Sequence, residues 1–403
     1  MYGRTPLFRA AENGHEEVVR VLLERNDVNP GTVDEYGRTP LCVAVQNGHD
    51  GVVGALLEQS NANLNTADLW DRTPLSWAAW NGHKGVVRIL LKENDVNPNI
   101  ADEHGQTPIS FAAQGGDEEM VRMLLGQNNV NPNIADWHGR TPVSWAAGNG
   151  QDGTVRILLG RGDVNPNTAD EGGQTPLSLA AKNGHEGVVR ILLGRSDVNP
   201  NIADTVFGQT PLAFGAENGH EGVVRVFLER EDVNLDKVDR TGCTPLAWAA
   251  QCGHEGVIRV LLEQKGVSPE TANIRGRTPL SLAAQRGHDG VVRILLDRNE
   301  VDPNAADKDG RTPLSWAARD GNEEVVRMLL ERNDLDLGTT DDYGQTAASW
   351  AVLSGHYRIA KLIRDRADFI LGNAESLQPT ETDPGFRDLS GPSEPPSKRT
   401  RRF

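Results

Sequence analysis

A Thr-Pro step recurs at Thr5, Thr39, Thr73, Thr107, Thr141, Thr175, Thr210, Thr244, Thr278 and Thr312, with a final Thr-Ala variant at Thr346. The spacing is 34 residues throughout, except for one interval of 35 between Thr175 and Thr210. A fixed period of this size marks a stack of identical small units, each contacting only its neighbours, and overrides the two or three domains that 403 residues would otherwise suggest.

The unit is read most clearly from Arg72 to Leu91. Thr73 is suited to cap a helix, because its hydroxyl can accept from a free amide in the first turn. Pro74 at the first helical position has its backbone angle already set and lacks an amide that would go unpaired there. A short first helix follows, with Leu75, Ala78 and Ala79 on its buried side, the alanines allowing close approach of neighbouring helices. Asn81-Gly82 ends it. A second helix is predicted from about His83 to Lys92, where Val86, Val87, Leu90 and Leu91 fall on one face. The polar steps Asp95-Val96-Asn97-Pro98-Asn99 and Asp102-Glu103-His104-Gly105 then read as an extended, hairpin-like loop leading to the next Thr-Pro. Recurring asparagines at Asn29, Asn63, Asn97, Asn131, Asn165 and Asn199 are expected to align as a hydrogen-bonding ladder between stacked loops.

The G-x-T-P-L-x-x-A-A-x-x-G-H core and the V-V-x-x-L-L second helix resemble the ankyrin repeat, over eleven units and more than nine-tenths of the chain. The resemblance implies an all-α solenoid of about eleven helix-turn-helix units over residues 1–371, acting on protein partners through loop tips and the concave face of the first helices. It also implies a monomeric array with no catalytic residues and no cofactor. Two departures stand out. Serine replaces the usual histidine after Thr-Pro-Leu at Ser76, Ser110, Ser144, Ser178, Ser281 and Ser315, and the unit is one residue longer than the usual 33. Both resemble ankyrin arrays of filamentous fungi, which are often attached to nucleotide-binding signalling domains.

The net charge is −16, and the tail from Leu371 holds five acids and five bases, so the array carries the whole excess. An acidic surface argues against binding a phosphate backbone, which needs Lys and Arg, and favours partners with basic patches. Three scattered cysteines, Cys42, Cys243 and Cys252, make no disulfide framework and fit a reducing compartment. No apolar run reaches membrane-spanning length and the first unit begins at once, without a secretory leader, so an intracellular, cytoplasmic protein is expected. Residues 372–403 shift to Pro, Ser, Thr and charge, the composition of a disordered tail. Its end, Lys398-Arg399-Thr400-Arg401-Arg402-Phe403, is a candidate nuclear import signal.

Several motifs carry chemistry only superficially. His15-Glu16, His185-Glu186, His220-Glu221 and His254-Glu255 lack the second ligand of a zinc helix, because Val19, Val189, Val224 and Ile258 stand four residues on. Asp307-Lys308-Asp309-Gly310 opens like a calcium loop, but Ala318 stands where the closing acid is required. Trp77, Trp145, Trp248, Trp316 and Trp350 share one slot with Phe111, Leu179, Phe214 and Leu282, which points to packing. Trp70, Trp80 and Trp137 lie outside that slot, at loop tips or at the end of the first helix. Exposed aromatic anchors of this kind are typical of binding hot spots. With the varying tip residues they make the candidate partner surface: Tyr36, Trp70, Trp80, His104, Trp137, Phe207, Arg240, Arg275 and Lys308.

Arg9 sits in the tryptophan slot of the first unit, as a polar end cap or as a sign that more repeats or another domain lie upstream. The last unit, with Tyr357, Arg358, Lys361 and Arg364, reads as a C-terminal cap. Three functions remain open at this level: a free-standing scaffold, the sensor end of a larger signalling receptor, and a nuclear cofactor.

Overall fold

The computed structural model describes residues 4–58 and 63–376. Among them are twenty-two helices and no strands, arranged as eleven helix pairs from α1 (Pro6–Glu12) and α2 (Glu16–Leu23) to α21 (Ala347–Leu353) and α22 (Tyr357–Ser376). Each first helix packs on the first helices before and after it, and each second helix does the same. The first helices make the more extensive contacts along the stack. Alanines make this packing possible: Ala78, Ala112, Ala146, Ala180, Ala249, Ala283 and Ala317 are fully or almost fully buried.

The Thr-Pro steps start the first helices as the residues dictate. Thr73 Oγ1 accepts from the Ser76 amide at 3.2 Å, with Pro74 in the first turn. The departure from the usual histidine has a local cause. Ser76, Ser110, Ser144, Ser178, Ser281 and Ser315 are buried, and each hydroxyl lies within 3.0 to 3.3 Å of its own capping threonine hydroxyl. These serines complete the caps.

The second helices are shorter than the sequence pattern suggests. In the third unit the helix runs Lys84–Leu90, with His83 outside it at φ −80° and ψ 76°. His83 stands at the N-cap, and its ring crosses to the preceding unit, where Nε2 lies 3.0 Å from the Gln46 carbonyl oxygen. The same bond recurs from His49 to Glu12, His185 to Gly148, His220 to Lys182, His254 to Glu217 and His288 to Gln251. Each ring takes the space beside a left-handed glycine: a Cβ on Gly14 would sit 2.8 Å from His49 Nδ1. The histidines therefore pin consecutive units together.

The asparagine ladder exists, but not on the residues expected. Asn97, Asn131, Asn165 and Asn199 only accept from the amide two residues on, within their own loop. The inter-unit rungs come from the second asparagine of each Asn-Pro-Asn. Asn133 Nδ2 donates to the Asp163 carbonyl at 2.6 Å, and its Oδ1 accepts from the Asn165 amide at 3.1 Å. Asn99, Asn167 and Asn201 repeat this double rung.

Asp236 and Glu270 interrupt the ladder at the loops leading into units eight and nine. Asp236 Oδ2 accepts from the Ser268 amide at 3.0 Å, while its Oδ1 is buried without a hydrogen-bond partner. Burial pushes both carboxyls above their ordinary values.

At the first unit, Arg9 presents a polar side chain at the end of the stack. It occupies the tryptophan slot, is exposed, and pairs with Glu12 at 2.7 Å. The stacking face of α2 stays apolar, with Val18 49% and Val21 62% exposed where Val52 and Ala55 of the next unit are buried. At the other end, α22 continues to Ser376, past the point where the sequence period stops. From residue 377 the tail expected to be disordered, including its basic end, lies outside the described residues.

Candidate partner-binding surface

The loop tips are built on a buried aspartate. Asp68 Oδ1 accepts from the Trp70 and Arg72 amides, both at 3.0 Å, and Oδ2 accepts from the Trp77 indole N–H at 2.8 Å. Asp136, Asp239, Asp307 and Asp341 hold their tips in the same way, with Trp145, Trp248, Trp316 and Trp350 donating. Arg38 and Arg140 add side-chain bonds to Asp34 and Asp136. Asp34 and Asp341 lie mostly out of solvent, and burial alone would raise them. The converging amides and side-chain donors outweigh it, so both carboxyls sit below the ordinary value. Sequence reasoning missed these aspartates, although an Asp recurs with the same period just before every tip except that of unit nine, where Asn273 stands and accepts from the Arg275 and Arg277 amides.

The slot tryptophans thus pack and brace at once. Trp77 and Trp316 are buried, whereas Trp145, Trp248 and Trp350 are half-buried. Arginines cover their faces: Arg140 lies 3.8 Å from the Trp145 ring centre and Arg277 3.8 Å from that of Trp316. Cation–π contacts of this kind hold a guanidinium flat and fix the ring orientation.

Each tip is tied to the one before by a single backbone bond. The amide of Leu69 donates to Tyr36, Glu103 to Trp70, Trp137 to His104, Glu171 to His138 and Thr205 to Gly172. The series continues with Arg240 to Phe207, Ile274 to Thr241, Lys308 to Arg275 and Asp342 to Asp309. Eight of the nine residues singled out from the sequence therefore share one ridge. Trp80 does not; it ends a first helix and faces the groove beside the ridge.

On the first half of the ridge the aromatic residues meet. Tyr36 stacks on Trp70, with ring centres 5.8 Å apart and planes at 16°. His104 meets Trp137 edge-on at 6.3 Å, and Trp80 meets Phe111 edge-on at 5.0 Å. Trp80 is 49% and Trp137 67% exposed. Between them lies an open groove of about 270 Å³ lined by Trp80, His104, Gln106, Gln114, Asp136, Trp137, His138, Arg140 and Trp145. The tip of the third unit needs one strained residue: Asp71 has φ 56°, where the other tips place glycine.

The insertion in the seventh unit widens its tip. Asp204 Oδ1 reaches the Gln209 amide at 2.7 Å, five residues on instead of four, and leaves Val206 and Phe207 exposed. The second half of the ridge then carries Arg240, Arg275 and Lys308, also exposed.

The cysteines are free, and burial pushes the Cys42 thiol up to about 12, which keeps it from acting as a thiolate. No helix among the described residues is long and apolar enough to cross a membrane.

A family model described as ankyrin repeats (three copies) matches residues 2–68, 61–136, 127–204, 195–273, 264–341 and 280–371. No curated protein matches the chain. The match extends over nearly the whole stack and agrees with its paired helices and braced tips; the chain belongs to the ankyrin-repeat family.

Proposed function

We propose that this array is a non-enzymatic scaffold that holds a partner protein along the tip ridge and the adjoining groove of units two to five. Ankyrin repeats are generally protein–protein interaction modules, and the fold is typically non-catalytic. The observation that carries this reading is the run of solvent-facing aromatic side chains, Tyr36, Trp70, Trp80, His104 and Trp137, on units two to five. Large apolar rings left in water beside a groove, on a frame braced by buried aspartates, are pre-organised for contact. Little entropy is then lost when a partner binds.

The test is the double substitution Trp70→Ala with Trp137→Ala. Neither ring is buried, so thermal unfolding should be nearly unchanged. Cross-linked partners recovered with the wild-type chain should be lost from the variant, a hot-spot effect of about 2 kcal/mol or more per ring. Lower stability with the same partners recovered would refute the reading.

A further inference from the structure

The net charge of −16 points towards basic partners, yet the tips of units eight to ten each present an exposed cation. Arg240, Arg275 and Lys308 stand on three consecutive tips, all exposed, and none lies within 4.0 Å of a carboxylate among the described residues. Several arginines of the second helices behave differently: Arg190, Arg225, Arg259 and Arg327 are each bound to a glutamate one turn earlier, although Arg156 and Arg293 are not. Arg240 makes one hydrogen bond, from Nη1 to the Val206 carbonyl at 3.1 Å, which orients the side chain along the ridge. Beside the cations lie exposed apolar side chains, Val206, Phe207 and Ile274 at 54 to 58%. Of the acids close by, Asp239 and Asp307 brace tips and Asp309 reaches Arg311 at 3.7 Å, while Asp342 on the following tip is exposed.

We propose that this half of the ridge docks an extended acidic segment of a partner protein, with apolar residues between its acids. The proposal deepens the scaffold reading and rests on it. Tips succeed one another at roughly 10 Å, the spacing of packed helices. A polyproline II segment advances about 3.1 Å per residue with three residues per turn, so acids at every third position share one face and match consecutive cations. Apolar side chains between them fall against Phe207 and Ile274. The acidic body repels such a segment everywhere else, which steers it to this ridge. A nucleic-acid strand fits less well: its phosphates are spaced more closely than the cations, and it offers nothing for the apolar side chains.

The test uses fluorescence anisotropy with the full chain. The probe is a labelled peptide of roughly twelve residues with Glu at every third position and Leu or Phe between. The wild-type chain should bind it, more weakly as salt rises, and should ignore the same peptide with Lys in place of Glu. Arg240→Glu with Arg275→Glu and Lys308→Glu should lose about tenfold or more in affinity. The neutral pair Arg275→Gln with Lys308→Gln guards against misfolding and should lose part of it. The Trp70→Ala, Trp137→Ala variant should bind the peptide normally, so this inference and the scaffold reading fail separately. Equal binding by the charge-reversed variant, or a single-stranded oligonucleotide binding as tightly as the peptide, overturns the proposal.

Discussion

Replacing Asp236 by asparagine should stabilise the protein. At this rung a carboxylate stands where Asn99, Asn133, Asn167 and Asn201 stand in earlier loops. Its Oδ2 keeps the acceptor half of the rung, from the Ser268 amide, but Oδ1 is buried with no donor. A buried polar atom without a partner costs about 1 to 3 kcal/mol, and more when charged. The residue is partly exposed, so the expected gain is about 1.4 kcal/mol, or tenfold in the local opening equilibrium. Because a stack opens locally, amide hydrogen exchange at Ser268 is the right measurement. Protection there should rise about tenfold in Asp236→Asn near neutral pH.

The pH dependence has a definite sign. Burial raises the folded-state value above the ordinary 3.8, so the folded chain holds the proton more tightly than the unfolded one. The stabilisation is complete below 3.8 and is lost as pH rises through the raised folded value. In the wild-type chain, Ser268 protection corrected for intrinsic exchange should therefore increase on mild acidification, and in the variant that increase should vanish. Glu270, also raised by burial, should act in the same direction one rung on. Asp34 and Asp341, held low, act oppositely; their contribution is lost as pH falls through their folded values. Equal or lower protection in Asp236→Asn near neutral pH would refute the reasoning, as would a pH response identical to wild type.

Two further substitutions test the loops. Asn133→Ala removes two bonds between units and should cost about 1 to 2 kcal/mol in urea unfolding, whereas Asn131→Ala removes one bond within its own loop and should cost less. Asp71→Gly relieves a left-handed backbone and should stabilise by about 0.5 to 1 kcal/mol, visible as a higher melting temperature.

Much of this could be read in the residues, because the period repeats each inference eleven times. Thr-Pro-Leu, the paired alanines and Val-Val-x-x-Leu-Leu all land where helical spacing places them. The tip aromatics were legible for a related reason: Trp70, Trp80 and Trp137 break the period, and an unneeded tryptophan is conspicuous. The choice between two asparagines was not legible. Asn97 and Asn99 are chemically identical and two residues apart, and only the path of the chain around Pro98 decides which one reaches the next loop. The bracing aspartates were missed because an acid in a polar loop reads as solvated. Nothing in its neighbours shows that two amides and an indole converge on it. The basic half of the ridge was hidden by the summed charge, which averages over ion pairs that only the folded chain forms.

The chain of single bonds between tips has an electrical consequence. All nine amides point towards the first unit and all nine carbonyls towards the last. Their dipoles therefore add along the ridge, as peptide dipoles add in a helix, although the linked groups lie some 34 residues apart in sequence. The ridge has a faintly positive end beside Tyr36 and a faintly negative end beside Tyr343. A peptide held along the ridge as proposed would meet a polarised surface on which its two directions are not equivalent.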